Sequence, residues 1–387
     1  MAVLSFAGLS TAAEHNAAKR PEVIAVYYPH WHSYDLGSAW KGEGWTEWDE
    51  MKAAIPRFPG HQQPKKSLWG CFDESDPRWT AREIDLAADH GITVFMYDWY
   101  WYSGVKNMEE ALEKGFLHAP NRKRLKFALM WANHDRRDQF WPEFGKPRTI
   151  LLHSQNSPRD LVRAMDYCIE HYFRQPNYWR VNGRLFFSIF ESEKFVKQLG
   201  GAQATRTAFA EIDARLRKAG LPPMHWNAMV STPAQAAIME QAGFHSTSRY
   251  NVATAGKLQP DFTERYEDVM DAHRAHWEKM KASSLVDLPV VTMGWDSTPR
   301  CRLDVPWPFE KKREYPYGPV VVGNTPELYE QLLRDAARHM ENDPRKPFGV
   351  LLNAWNEWTE GGYLLPEERT GTAYLEAIKR VFGKSSR

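Results

Sequence analysis

Eight short runs of β-branched and aromatic residues, each followed by a longer stretch with apolar residues three and four apart, constrain this chain more than any other feature. The runs are VIAVYY (23–28), ITVFMYDW (92–99), KFALMW (126–131), RLFFSIF (184–190), MHWNAM (224–229), FHSTSRY (244–250), LPVVTMGW (288–295) and FGVLLNAW (348–355). The helical patterns cover 79–90, 107–117, 158–173, 205–219, 233–242, 263–282, 325–341 and 371–383. Several close on glycine, as at Gly91, Gly220 and Gly243, where a left-handed backbone ends a helix most easily without a Cβ. Strands that alternate with helices build a parallel sheet, and eight such units predict a (β/α)8 TIM barrel. A doubly wound open sheet would carry fewer strands and often a glycine-rich first turn. The reading is a single α/β barrel domain over 21–387, with long loops after strands 1 (29–78) and 7 (296–324).

Lys and Arg number 50 against 49 Asp and Glu, so no net field attracts nucleic acid or an anionic membrane. The triplets Arg122-Lys123-Arg124 and Lys311-Lys312-Arg313 read as solvated surface. Cys71, Cys168 and Cys301 are far apart and odd in number, which fits neither a disulfide framework nor a zinc site. No apolar run reaches the roughly 18 residues of a membrane span. The start, MAVLSFAGLSTAA, is apolar and ends in small residues but lacks a basic beginning, so residues 1–20 fit either a trimmed export leader or a disordered start. A leader would place the protein in the periplasm or outside the cell; otherwise it is cytoplasmic.

Barrel enzymes carry their chemistry where strands end, and here those ends turn polar and aromatic. Tyr28 and His30 follow strand 1, Asp98 and Trp99 end strand 2, and Trp131, Asn133 and His134 end strand 3. Trp226 and Asn227 mark strand 5, Arg249 and Tyr250 strand 6, Trp295 and Asp296 strand 7. After strand 8 comes NAWNEWTEGG, with Trp355, Asn356, Glu357, Trp358 and Glu360. A three-residue offset in a turn brings both carboxylates to one side. Their mutual repulsion, with Trp355 and Trp358 displacing water, predicts that one acid keeps its proton while the other stays charged. Glycoside hydrolysis needs that division of labour. The blander reading makes Glu357 a helix cap and Glu360 a solvated charge.

The segments YYPHWH, GWTEW, PRFPGHQQP, WANHD, GWDSTPR and WNEWTEGGYLLP resemble the motifs of WbsX-type proteins, which are similar to glycoside hydrolase family 99, the endo-α-mannosidases and mannanases. The resemblance runs from Val23 to Phe382. It implies a (β/α)8 barrel without a metal and assigns both catalytic carboxylates to the W-N-E-W-x-E-G motif, here Glu357 and Glu360. It further implies a retaining route in which Glu357 takes a proton from the sugar's own 2-hydroxyl, giving a 1,2-anhydro sugar, and Glu360 serves as general acid and then base. Where family 99 commonly has His this chain has Thr359, so mannose specificity carries over less directly than the acid–base pair. Many WbsX-type proteins carry a glycosyltransferase label.

The resemblance also makes Trp45 and Glu47 of the first long loop candidates for substrate contact, against a loop that packs on its own rings. Tyr28, Tyr250 and Asp98 could bond sugar hydroxyls or hold the catalytic acid, against a rim tyrosine that only packs, and His30 or His134 could donate to a sugar hydroxyl. His30, His32 and His134 have no H-x-x-x-H or H-E-x-x-H spacing, so neither a metal nor another cofactor is expected. Arg249 and Arg300 either bind an acidic substituent or, by default, neutralise neighbouring acids. The leading expectation is a retaining glycoside hydrolase on an α-linked oligosaccharide or polysaccharide. A glycosyltransferase in surface polysaccharide assembly is the second, although the chain has no D-x-D and no G-x-G-x-x-G to hold a diphosphate. A non-catalytic glycan-binding barrel is the third.

Overall fold

The computed structural model describes residues 20–309 and 314–383. The expected leader lies outside them except for Arg20, as does the basic triplet at 311–313. The first strand is Glu22–Tyr27, the second Val94–Tyr102, the third Lys126–Trp131, the fourth Arg184–Ile189, the fifth Met224–Met229, the sixth Ser246–Ser248 and the eighth Gly349–Asn353. Neighbours pair in parallel, with Ile24 opposite Val94 and Val23 opposite Val350. The seventh strand departs from expectation because it is broken at Pro289. Val286–Leu288 pairs with the sixth strand, and Val290–Thr292 pairs with the eighth. Proline has no N–H to give a ladder, which interrupts pairing at that residue; its carbonyl still accepts from the Leu351 N–H at 2.9 Å. The predicted eight strands are therefore present as nine segments, and the barrel closes through the chain itself.

Seven helices follow the periodic stretches: Pro77–Asp89, Pro158–His171, Ala202–Lys218, Pro233–Ala242, Tyr266–Met280, Pro326–Asn342 and Ala373–Phe382. Four of them begin with proline behind Asp76, Ser157, Thr232 or Thr325, whose side chains accept a free N–H of the first turn. The helix expected over 107–117 does not form. That segment is one wide turn, Ala111–Gly115, running into a 3₁₀ turn, Phe116–His118. Gly115 presses on the backbone of the first long loop so closely that a Cβ would lie 2.3 Å from the Glu74 carbonyl oxygen. Among the described residues no helix is long and apolar enough to cross a membrane.

Side chains alternate across each strand. The inward set includes Ser188, Asn227, Ser246 and Ser248, which bond one another: Ser188 Oγ and Ser248 Oγ donate to Asn227 Oδ1 at 2.8 and 2.9 Å, and Asn227 Nδ2 donates to Ser246 Oγ at 3.0 Å. The outward set builds the layer under the helices. Trp226 stacks on Phe209 with centroids 4.1 Å apart and planes at 8°, Trp131 meets Phe195, and Trp99 meets Tyr172. Replacing buried Trp226 with alanine should cost about 3–5 kcal/mol in urea unfolding, whereas a ring reserved for substrate would leave the unfolding midpoint in place.

Candidate functional site

Beyond the eighth strand, Asn356–Glu357 pairs antiparallel with Gly362–Tyr363 around a 3₁₀ turn, Trp358–Glu360. Gly361 closes the turn at φ 72°, and a Cβ there would lie 2.9 Å from the Asp296 nitrogen, so both conformation and space call for glycine. The Asp296 N–H donates to the Glu360 carbonyl at 2.7 Å. Asn356 ties the turn to the first strand, accepting from the Tyr28 N–H at 2.7 Å and donating to its carbonyl at 2.8 Å. Trp358 stacks on Tyr363 at 3.9 Å, and the Thr359 hydroxyl donates to Glu47. Glu357 and Glu360 are left to line one cavity of about 500 Å³ at the strand C-terminal rim.

Arg300 joins these acids. Its guanidinium contacts Glu360, lies 3.6 Å from Glu357 Oε1, and reaches Glu47 Oε1 at 2.8 Å. The rings of Tyr28, Phe140 and Tyr315 surround it at 5.4–5.8 Å. Burial alone would raise the Glu47 pKa, but Arg300 and His30 outweigh it and hold the group at about 2. His30 is lowered to about 4, burial prevailing over its Glu47 partner. It is therefore a neutral ring near neutrality, with Nδ1 2.5 Å from Glu47 Oε2 and Nε2 3.2 Å from the Arg136 guanidinium and 2.7 Å from the Tyr34 hydroxyl.

Glu357 faces the opposite balance. Burial first, then the charge of Glu360, push its proton affinity well above the usual carboxylate range. Asp98 is raised for the same reasons, burial and Glu360. Tyr250 stands between them, its hydroxyl 3.0 Å from Asp98 Oδ2 and 2.9 Å from Glu357 Oε2. A phenol has one proton to donate. Both contacts are satisfied when one of the carboxyl groups keeps its own proton and donates to the phenol oxygen.

Of the residues predicted from sequence, Tyr28, Asp98, His134, Tyr250, Trp295, Arg300, Glu357 and Glu360 line this cavity. The others do not. Trp99, Trp131 and Trp226 face outward, and Asn227 lies in the polar layer inside the barrel. Trp355 donates to buried Glu83 at 3.0 Å, and Trp358 packs on Tyr363, so neither indole dries the acids. The dehydrating rings are Tyr28, Tyr100, Phe190, Tyr250, Trp295 and Tyr315. Asn133 fastens the third strand end to the fourth through the Glu191 N–H at 2.7 Å, and Asn356 is the fastening described above. His30, Trp45 and Glu47 sit behind the wall, with Trp45 packed on Phe140 at 5.0 Å. Asp296 accepts from Gln63 at 2.6 Å and lies 3.1 Å from His61 Nε2; burial would raise it, but His61 and Lys65 keep it far below its ordinary value. Arg249 is half-buried, its pKa lowered by desolvation, and does not line the cavity. Sequence reading missed Tyr100, Arg137, Gln139, Arg148, Glu191, Lys194 and Tyr315 on its walls. Tyr100 could have been found by counting two residues on from Asp98, and Glu191 follows the fourth strand as Tyr28 follows the first; Lys194 lies on the short helix Ser192–Gln198 and Arg137 on the two-residue strand Arg136–Arg137, and Gln139, Arg148 and Tyr315 come from loops without a local signal.

The Glu47–Arg300 pair also carries a pH prediction. Because Glu47 is lowered from 4.5 to about 2, its stabilisation is complete above 4.5 and disappears as pH falls through 2. Glu47→Gln should lower stability by about 3–5 kcal/mol at neutral pH, and the gap to the unsubstituted protein should narrow in acid, as read by denaturant unfolding across that range.

The solved structures this barrel resembles include the GH99 endo-α-mannosidase from Bacteroides thetaiotaomicron, with a TM-score of 0.58 at 16% identity over 93% of this chain and 96% of that one. A glycoside hydrolase-like protein superposes with a TM-score of 0.61 at 11% identity, covering 95% of both chains. At such identities the likeness concerns the fold. WxcX of Xanthomonas campestris pv. campestris, an uncharacterized protein, is 26% identical over 374 residues in strain B100. The chain spans about half the length of that relative, 50%, while 94% of the chain itself is covered. The family model described as glycosyltransferase WbsX matches residues 23–378, and the chain belongs to that family.

Proposed function

We propose that this chain is a retaining glycoside hydrolase acting on an α-linked glycan, mannan-like or related, with Glu357 and Glu360 as its acid–base pair. One observation carries the reading: two carboxylates meet a single buried guanidinium on the wall of an open, ring-lined cavity at the strand C-terminal rim. In the route implied by the resemblance, Glu357 takes the proton of the sugar 2-hydroxyl as that oxygen attacks the anomeric carbon. The glycosidic bond breaks, and the leaving oxygen takes a proton from Glu360. Water then opens the 1,2-anhydro sugar, giving its proton to Glu360 while O2 recovers one from Glu357.

The resting charge distribution runs the other way, since Arg300 sits on Glu360 and the raised affinity favours a proton on Glu357. One proton shared by the pair serves both states, and substrate binding must move it from Glu357 to Glu360 before attack. An aryl glycoside with an acidic phenol separates the roles because its leaving group needs little protonation. Glu360→Gln should keep cleavage of that substrate while losing ordinary glycans by about 10²-fold or more, and Glu357→Gln should lose both. The reverse pattern would exchange the assignments, and unchanged turnover in both variants would leave only a binding barrel. NMR of the first-formed anomer tests retention.

The active form holds a single proton on the pair, so kcat/KM should be bell-shaped in pH. Its alkaline limb falls as the proton favoured by the raised Glu357 is lost. The Tyr250 hydroxyl stabilises the Glu357 carboxylate, and Tyr250→Phe should therefore move that limb to higher pH; a profile in which it stays put would uncouple Tyr250 from the titration.

A further inference from the structure

The cavity has a second chemistry where residues from outside the barrel strands line it. Arg148 lines it together with Arg137 and Tyr315, and the same three residues line an adjoining cavity of about 290 Å³. The Arg148 guanidinium lies 4.9 Å over the Tyr315 ring, and both side chains border the two spaces. Its neighbours make it an unusual place for a cation. Burial, with the positive charges of Arg137 and Arg300, lowers its pKa against the opposing pull of Tyr315 and the charge of Glu360, and among the described residues no carboxylate comes within ion-pair distance of it. Arg137 has only a 3.5 Å contact with Asp135, which is also 3.8 Å from Lys194. Arg300, by contrast, is covered by Glu47 and Glu360.

Like charges crowd together at a cost unless an anion joins them, and a planar guanidinium held on a ring presents paired donors to an oxyanion. We infer that Arg148 and Arg137 form a subsite for an anionic group, a carboxylate or a sulfate, carried by the bound glycan next to the residue that is cleaved. The inference rests on the hydrolase reading for the location of cleavage, and it adds the substrate class: an acidic polysaccharide. A neutral mannan would leave this wall unused.

The test compares oligosaccharides with one α-linked backbone in three forms: neutral, with a uronic acid, and sulfated. Binding is measured by calorimetry on the Glu360→Gln protein, and turnover on the unsubstituted one. At least one anionic form should bind about tenfold more tightly than the neutral form, with the advantage shrinking as salt is raised. Arg148→Gln should remove that advantage while affecting the neutral form several-fold less, and Arg148→Lys should restore part of it by keeping the charge without the paired donors. Equal binding of all three forms, or equal losses on neutral and anionic forms in Arg148→Gln, would overturn the subsite. A nucleoside diphosphate sugar that binds more tightly than any glycan, with Arg148 required, would also overturn it and transfer the wall to a glycosyl donor. Anionic glycans bound through Arg148 but not cleaved would sink the hydrolase reading and leave the subsite standing. Cleavage of the neutral glycan with no preference for charge would do the opposite.

Discussion

The buried guanidinium of Arg300 is the interaction on which this site depends. An unpaired cation in such a place would be strongly disfavoured, and so would three carboxylates without it. Glu47 arrives from the first long loop, Arg300 from the loop after the seventh strand, and Glu360 from the turn after the eighth. One ionic cluster thus fixes three segments that have no ladder hydrogen bonds in common. It also sorts protons: Glu47 is held as an anion by Arg300 and His30, while burial and the charge of Glu360 outweigh the guanidinium at Glu357, 3.6 Å away, and raise the proton affinity of Glu357 and Asp98. The acid–base chemistry proposed here arises from the unequal sharing of one positive charge.

A second buried network supports the same turn from beneath. Trp355 and Tyr27 both donate to Glu83, at 3.0 and 2.9 Å, and burial together with Glu74 raises that carboxyl to about 8. His32 lies between Glu74 and Glu110; burial disfavours its charge, but the two acids overcome this and lift it to about 9. Trp355, expected from sequence to displace water from the acids, is part of this support. With Tyr27 it holds the Glu357 turn against the barrel wall without lining the cavity.

The fold was legible because its determinants are local: strand patterns, helix periodicity and caps repeat along the chain. The acidic pair was legible because both members lie in one turn. What went astray was the choice among adjacent residues. Asp98 and Trp99, or Trp226 and Asn227, cannot face the same way on a pleated strand, and the structure sends the indoles outward in both cases. Parity along each strand was available in the sequence and would have separated them. The placement of Arg148, Tyr315 and Gln139 had no such signal, since each reaches the cavity from a loop positioned by contacts distant in sequence.

The interruption at Pro289 has a mechanical meaning. On either side of it the seventh strand offers only three residues to its neighbours, which makes this a short-laddered seam in the wall. The loop bearing Asp296 and Arg300 springs from the far side of that seam. Because Val290–Thr292 stays paired with the eighth strand and the Asp296 N–H is bonded to the Glu360 carbonyl, the guanidinium and the turn that carries Glu357 and Glu360 lie on one side of the break, and the ionic cluster is carried as a unit.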